Sequence, residues 1–240
     1  MLKLSLIHPF YNHNYALPAH IGNWMEWDPQ YKQSVEIIIV DDGSPEPLDV
    51  SLLKGLDLNI KVFKVKQDIL WNVTGARNLG ITQASAPWLA MLDFDMSLLN
   101  RSLKDFLKLT VDNNKTYWPF LWLPTKNQPH RTRYPHCNSF FINRETMIKC
   151  GMYDEDFAGE WGWEDIFIHD FIFPSNGIKR EWRQDCLIRW YRGFASGHVE
   201  KHPENQSNVN FKRMKEKAWE VINGTYINKD ILRFDWEQVL

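Results

Sequence analysis

The sequence has few cysteines and no long apolar run, and both shortages exclude classes of protein. Its 240 residues contain three cysteines, far apart and without the CxxC spacing of zinc or redox sites, so we expect them to be reduced. No apolar stretch approaches the ~18 residues of a membrane span, and the N-terminal apolar segment is too short for a secretory signal. We therefore expect a cytoplasmic protein without a membrane span.

The sequence also has no surplus of basic charge. Its 28 lysines and arginines are balanced by 30 aspartates and glutamates, which gives a formal net charge of -2. Proteins that bind nucleic acid usually carry a strongly basic face, so we expect no nucleic-acid partner. Any phosphate group must be bound by local groups. Tryptophan is abundant, at 12 residues, and both core packing and platforms for sugar rings would explain it.

Short apolar runs alternate with helical stretches through the first two thirds of the chain. This pattern predicts an α/β fold with a mostly parallel sheet flanked by helices. The predicted strands span residues 2–7, 35–40, 60–65 and 88–92, and the predicted helices span 16–25, 73–84, 102–111, 144–150 and 209–222. Asn100 is a candidate N-cap for the third helix. Four prolines between residues 118 and 135 predict loop or edge structure.

Two carboxylates and a turn glycine follow the predicted central strand directly. Asp41 and Asp42 lie where open α/β sheets bind ligands, at the C-terminal end of a strand. There they could accept hydrogen bonds from a base or a ribose. The run Asp-Asp-Gly-Ser is also an ordinary turn sequence, so this motif alone leaves both interpretations open.

Small residues begin the predicted helix that starts at residue 73. Gly75 and Gly80 permit close approach of another backbone, and a helix N-terminus attracts anions. Arg77 could then contact a diphosphate or a base. The alternative is a helix packed tightly on the sheet, with Arg77 in solvent.

A second carboxylate pair follows the predicted strand 88–92. Asp93 and Asp95 point to the same side of an extended chain, because side chains alternate with a period of two. Carboxylate oxygens select hard cations such as Mg²⁺ or Mn²⁺, which often bridge to substrate phosphates. The structural alternative is that both aspartates are turn or helix-entry residues.

Four motifs occur in a characteristic order: residues 9–12 (PFYN), 40–44 (VDDGS), 75–78 (GARN) and 93–95 (DFD). Together they resemble the glycosyltransferase family 2 superfamily of GT-A enzymes over residues 1–205. The resemblance implies a GT-A (Rossmann-like) domain over 1–205, with residues 206–240 as a C-terminal helical extension packed on it. It further implies a nucleoside-diphosphate sugar donor, usually of uridine, a glycan acceptor and Mn²⁺ or Mg²⁺. The donor-binding residues would be Pro9, Tyr11, Asp41, Asp42, Arg77 and Asp93, with Asp95 on the metal.

A fifth segment, residues 161–165 (WGWED), resembles the signature of β-1,4-galactosyltransferases and of chondroitin- and hyaluronan-type polymerases. In a helix, consecutive side chains point ~100° apart, so only one acidic residue of the pair could deprotonate the acceptor hydroxyl. The resemblance assigns this base to Asp165 and acceptor binding to Glu164. The structural alternative is an acidic first helical turn. Trp161 and Trp163 would offer faces to the acceptor sugar, or belong to the core.

Residues 196–205 resemble the segment that supplies a histidine metal ligand in several such enzymes. We assign this role to His198, with His202 as the alternative. The combined prediction is an inverting, metal-dependent glycosyltransferase. A carbohydrate-binding protein would not need both acidic pairs. A sugar nucleotidyltransferase would need a glycine-rich N-terminal loop, and residues 5–14 contain no glycine.

Overall fold

The computed structural model describes residues 1–122, 132–136, 138–191 and 208–240, and these residues contain one sheet of ten strands. The strands are β1 Leu4–Phe10, β2 Val35–Asp41, β3 Asn59–Val65, β4 Trp88–Met91, β5 Met96–Leu98, β6 Lys115–Trp122, β7 Thr132–Pro135, β8 Phe140–Asn143, β9 Lys179–Trp190 and β10 Trp236–Gln238. Their order is β10-β3-β2-β1-β4-β8-β6-β9-β5, and β7 pairs with β6. The four strands predicted from apolar runs are confirmed as β1 to β4.

Helices flank this sheet. They are α1 Leu17–Met25, α2 Pro29–Lys32, α3 Val73–Gln83, α4 Asn100–Lys108, α5 Arg144–Lys149, α6 Glu164–Phe167, α7 Phe173–Ser175 and α8 Asn208–Ile222, with a π-helical turn, Ile168–Ile172, between α6 and α7. The five predicted helices correspond to α1, α3, α4, α5 and α8. Within the described ranges, no helix has the length and apolar character needed to cross a membrane.

The predicted fold class is confirmed, although antiparallel pairing is more extensive than expected. Strands β3, β2, β1 and β4 are mutually parallel. Every residue of β2 and of β4 is buried, because both faces of these strands are covered. Beyond β4, the pairs β4–β8, β6–β8, β6–β7 and β5–β9 are antiparallel, whereas β6 and β9 run parallel. The parallel half therefore ends at β4.

Two local predictions are wrong. The predicted loop or edge structure is wrong for residues 118–122, which belong to β6 between β8 and β9, whereas β7, near the end of the same stretch, pairs only with β6 among the described strands. Pro119 is tolerated because the register of β6 against β9 shifts between Pro119 and Phe120, and a proline fits at such a bulge. Asn100 is the first residue of α4 rather than its cap, and its side-chain oxygen accepts a hydrogen bond from the Asp28 N–H at 3.2 Å.

Helix α3 packs closely on the parallel strands. A Cβ atom at Gly80 would lie 2.5 Å from Cγ2 of Ile7 in β1, so any larger residue would push the helix away from the sheet. This contact supports the packing interpretation of the glycines. Arg77, however, is not in solvent as that interpretation assumed, because only 2% of it is exposed.

The buried carboxylate of Glu36 joins three neighbouring parts of the parallel half. It accepts hydrogen bonds from the Ser5 hydroxyl of β1, from the Lys61 ammonium of β3, and from the N–H groups of Ser85 and Ala86 before β4. Burial alone would raise the pKa of Glu36, but these hydrogen bonds and the Lys61 charge lower it below its ordinary value. Folding therefore favours the ionised form.

We predict that Glu36→Gln lowers the free energy of unfolding at pH 7 by about 1–3 kcal/mol, because it removes a charge that buried donors require. The pKa of Glu36 is lower in the folded state. The wild-type advantage is therefore present above about pH 4.3, the pKa of an unfolded glutamate, and is lost as the pH falls further. Urea denaturation at pH 7 and at pH 3 measures both effects. The exposed Glu46→Gln serves as the control, and equal stability of the two variants at pH 7 would contradict the prediction.

Candidate active site

A first polar cluster lies at the C-terminal ends of β1, β2 and β3. The Tyr11 hydroxyl donates to Asp68 Oδ1 at 3.1 Å, and the Asn72 side-chain amide donates to Asp42 Oδ1 at 2.8 Å. Burial raises the pKa of Asp42 well above its ordinary value, with smaller contributions from neighbouring carboxylates. Tyr11 remains 41% exposed. This cluster thus presents hydrogen-bonding groups at the edge where α/β sheets bind ligands.

Asp41 differs from its neighbour because both its carboxylate oxygens are occupied. Oδ1 accepts from the N–H of Ser44 and Oδ2 from the N–H of Leu48, each at 2.9 Å. Gly43 in the same turn has φ +73°, and a Cβ there would collide with the Gln67 carbonyl. Asp41 therefore shapes the turn, and the donor-binding prediction for the pair rests chiefly on Asp42. Pro9, half-buried on β1, pairs in register with Val40.

A second cluster is centred on Arg77, which α3 directs under the end of β4. Its Nη2 donates to Asp93 Oδ1 at 2.6 Å, and its guanidinium carbon lies 5.2 Å from the centre of the Tyr153 ring. Asp93 remains about a quarter exposed, whereas Arg77 is almost fully buried. The buried guanidinium thus holds Asp93 in position from the protein interior, and the other side of the Asp93 carboxylate is in contact with solvent.

Asp95 lies beside Asp93 and accepts a hydrogen bond from the Trp190 indole at 2.8 Å. Burial and the charge of Asp93 raise the pKa of Asp95 to about 6. The imidazole Nδ1 of His136 lies 4.0 Å from Asp93 Oδ2. Two close carboxylates that repel each other are a donor set that a hard divalent cation would stabilise.

The described residues contain no group of three or more histidine, cysteine and acidic side chains arranged to hold a metal. Asp93 and Asp95 supply two carboxylate ligands. Two are enough for Mg²⁺ or Mn²⁺, because these ions commonly keep waters and substrate phosphates as further ligands. His198 and its alternative His202 lie outside the described residues, so the histidine assignment stays a prediction.

The two acidic residues of the segment 161–165, Glu164 and Asp165, lie in different environments. Glu164, at the start of α6, is 6% exposed, and its Oε2 has no hydrogen-bond partner in the described part of the chain. Burial and then the charge of Asp165 raise the pKa of Glu164 to about 7, opposed by Arg77. Asp165 is half-buried and borders a pocket of about 380 Å³. Glu164 thus faces the Arg77 cluster, and Asp165 faces open space.

The two tryptophans of this motif pack against other aromatic rings. Trp163, which has φ 76°, lies with its ring centre 4.5 Å from that of Phe211 in α8. Trp161 meets the Trp71 ring nearly at right angles, at 6.3 Å. Both are half-buried. Each therefore has a packing function, and their contact with an acceptor sugar stays a prediction.

Helix α8 holds the segment that precedes Glu164. The buried Asn210 side-chain amide donates to the carbonyls of Phe157, Glu160 and Gly162 at 2.8–3.1 Å. Further along α8, Lys217 forms ion pairs with Asp154 at 2.7 Å and Asp156 at 2.8 Å. Helix α8 thus packs next to the acidic pair. The division into a domain of residues 1–205 and a C-terminal extension of residues 206–240 stays a prediction, and its boundary lies outside the described residues.

Several residues of these clusters escaped the sequence reasoning. Asp68 and Asn72 follow β3, so the strand-end rule that selected Asp41 and Asp42 could have found them. His136, which follows β7, and Trp190, at the end of β9, belong to no local sequence motif. Asn210 is one of many polar residues in α8, so only its contacts in the folded structure reveal its function.

Comparison with known proteins supports a common family for most of this domain. The profile of Glycosyl transferase family 2 matches residues 5–160. An uncharacterized glycosyltransferase of Rickettsia conorii is 34% identical over 116 residues, or 47% of this chain and 18% of that protein. Chondroitin synthase of Pasteurella multocida is 23% identical over 90% of this chain and 27% of its own length. The chain thus spans about a quarter or less of these relatives.

Solved structures agree on the fold. GalNAc-T7 with UDP, GalNAc and Mn²⁺ superimposes with a TM-score of 0.67 and 17% identity, covering 94% of this chain and 50% of that one. TarS of S. aureus, residues 1–349, has a TM-score of 0.68 and 15% identity, covering 94% of this chain and 67% of that one. At such low identity, the likeness confirms the GT-A fold.

We predict that Asn210→Ala loosens the segment 157–162 and lowers the free energy of unfolding by about 1–3 kcal/mol, because the carbonyls of Phe157, Glu160 and Gly162 lose their side-chain donor. Thermal denaturation and hydrogen exchange of residues 157–165 measure the two effects. Asn223→Ala at the exposed end of α8 removes a surface hydrogen bond to the Trp219 carbonyl and serves as the matched control. Unchanged exchange in Asn210→Ala would contradict the positioning role.

Proposed function

Because the chain belongs to glycosyl transferase family 2, we propose that it transfers a sugar from a uridine-diphosphate donor to a hydroxyl of a glycan, with inversion and with Mn²⁺ or Mg²⁺. The single observation that supports the proposal is the convergence on the buried Arg77 of one carboxylate from each acidic pair, Asp93 from Asp93–Asp95 and Glu164 from Glu164–Asp165. Neither a carbohydrate-binding protein nor a nucleotidyltransferase, the two alternatives left open above, accounts for that convergence together with the family match.

Two relatives support the substrate classes. The structure of GalNAc-T7 contains UDP, GalNAc and Mn²⁺, which supports a uridine nucleotide donor and a divalent cation here. Chondroitin synthase builds a glycan, as its name states, which supports a sugar acceptor. Because this chain spans only part of each relative, these classes are proposals for the domain described here.

The nucleoside half of the donor would bind at the first cluster. Asp42 favours its uncharged form through burial, so it suits the polar edge of a base or a ribose better than a phosphate. Asn72 fixes the orientation of the Asp42 carboxyl, and Tyr11 offers an exposed aromatic face beside it. Pro9 at the end of β1 would line the same edge.

The diphosphate would lie over Asp93 and Asp95. These carboxylates would hold the divalent cation, with His198 as an additional proposed ligand. A bound cation supplies Lewis-acid stabilisation of the departing diphosphate. Arg77 is almost fully buried. Its proposed contribution to donor binding is therefore indirect: its Nη2 donates a hydrogen bond to Asp93 Oδ1 and holds that carboxylate in position.

The acceptor would approach from the other side, where Asp165 borders the open pocket. Asp165 would take the proton of the attacking hydroxyl, and displacement in line with the leaving diphosphate inverts the anomeric carbon. Glu164 faces inward, with a buried oxygen that has no hydrogen-bond partner among the described residues. It would accept a hydrogen bond from a sugar hydroxyl at the centre of the site, with Trp161 and Trp163 forming its outer wall.

We predict that Asp165→Asn retains donor binding but lowers transfer by about 10²- to 10⁴-fold, the usual contribution of a general base. Glu164→Gln should chiefly raise the acceptor KM while slow donor hydrolysis continues. Calorimetric titration with UDP and an assay of transfer to saccharide acceptors separate the two effects. Near-normal transfer by Asp165→Asn, or a product that keeps the anomeric configuration of the donor, would contradict this assignment.

A further inference from the structure

A pocket beside Asp165 extends away from the Arg77 cluster along β6 and β9. Trp118 and Phe120 of β6 line it, together with Arg180, Trp182 and Gln184 of β9, and Asp170 of the π-helical turn. Its volume of about 380 Å³ lies within the roughly 300–1,000 Å³ range of small-molecule sites. None of these lining residues has a part in the donor site described above.

Trp182 is the most unusual residue of this pocket. Its side chain is 49% exposed, whereas Trp118, which meets it edge to face at 5.5 Å, is 3% exposed. The Arg180 guanidinium lies over both rings, at 4.7 Å from Trp118 and 5.3 Å from Trp182. A large indole is thus held in one orientation while half of it remains in contact with water.

Arg180 is itself fixed in place. It donates to the Asp170 carboxylate at 2.9 Å and to the His169 carbonyl at 3.2 Å. The indole orientation is therefore set before any ligand arrives, which lowers the entropy lost on binding. Aromatic side chains that are ordered and exposed at a pocket are common binding hot spots.

The chemistry of the pocket suits a sugar ring. The C–H face of a pyranose is apolar and packs against an indole, while its hydroxyls need donors and acceptors around the edge. Asp170, Gln184 and Arg180 provide such groups beside Trp182. A purely apolar ligand would make no use of these polar groups.

The charges of the pocket distinguish between classes of sugar. Asp165 and Asp170 are acidic, and among the lining residues in the described ranges the one lysine or arginine, Arg180, is already paired with Asp170. The next arginine on β9, Arg183, is likewise paired, with Asp185 at 2.5 Å. An anionic sugar would be repelled by the Asp165 carboxylate. An uncharged pyranose meets no such repulsion.

We propose that this pocket is a second acceptor subsite, in which Trp182 binds an uncharged pyranose adjacent to the sugar whose hydroxyl faces Asp165. The acceptor is then a neutral oligosaccharide of at least two sugars. This inference rests on the proposed function, because it assumes that the acceptor reaches Asp165.

The test compares Trp182→Ala with Trp219→Ala, which removes an equally large, exposed indole from α8 (67% exposed). Calorimetric titration with cellobiose, lactose and N,N′-diacetylchitobiose, and with their constituent monosaccharides, measures binding. We expect wild type to bind at least one disaccharide more tightly than its monosaccharides. Trp182→Ala should lose about 30-fold in that affinity, the scale of an aromatic hot spot. Trp182→Phe should retain most of it, and Trp219→Ala should be unchanged.

Three results would overturn the subsite: equal affinity in wild type and Trp182→Ala, no disaccharide bound by wild type, or tighter binding of an unsulfated chondroitin disaccharide, which carries a uronate. Donor hydrolysis without acceptor is measured in parallel and should be the same in wild type and Trp182→Ala. If wild type hydrolyses donor but shows any of these three results, the subsite alone fails. If wild type hydrolyses no nucleoside-diphosphate sugar, the proposed function fails instead.

Discussion

The buried ion pair between Arg77 and Asp93 is the interaction on which the rest of the site depends. A guanidinium removed from water needs a charged partner and further polar or aromatic contacts, and here Asp93 and the Tyr153 ring supply them. Because Arg77 comes from α3 and Asp93 from the end of β4, the pair fixes the helix relative to the strand. It also leaves Asp93 partly exposed, on the side of the proposed diphosphate site.

The same helix links the two halves of the proposed site. Directly after Arg77, the Asn78 side chain donates to the Tyr153 carbonyl and accepts from the Tyr153 N–H, both at 2.9 Å. This exchange holds the segment that leads to Glu164, and Asn210 of α8 holds its far end. Carboxylates that are distant in sequence, on β4 and α6, are thus kept within electrostatic reach of one guanidinium. The proposed in-line displacement requires such fixed geometry.

Local patterns predicted the parallel half of the sheet, because its strands are apolar runs, and they singled out Asp93 and Asp95 at a strand end. Glu164 and Asp165 came instead from the resemblance of residues 161–165 to a known signature, and the functions of both pairs stay predictions. The patterns did not reveal that both carboxylate oxygens of Asp41 accept hydrogen bonds within a turn, nor that Arg77 points inward to Asp93. The interior position of β6 was missed because a bulge accommodates Pro119. The pocket around Trp182 was also missed, because the residues that line it come from β6, β9 and the π-helical turn, which are distant from one another in sequence.

The most direct test of the central claim is the release of nucleoside diphosphate from a panel of nucleotide sugars without acceptor, with Mn²⁺ or with excess chelator. The account predicts slow hydrolysis of at least one uridine-diphosphate sugar, its loss in chelator, and a decrease on the order of 10²-fold or more in Asp95→Ala, because a charged ligand at the diphosphate is removed. Asp105→Ala, on the surface of α4, should behave as wild type. Full hydrolysis in chelator, or none of any donor with Mn²⁺, would contradict it.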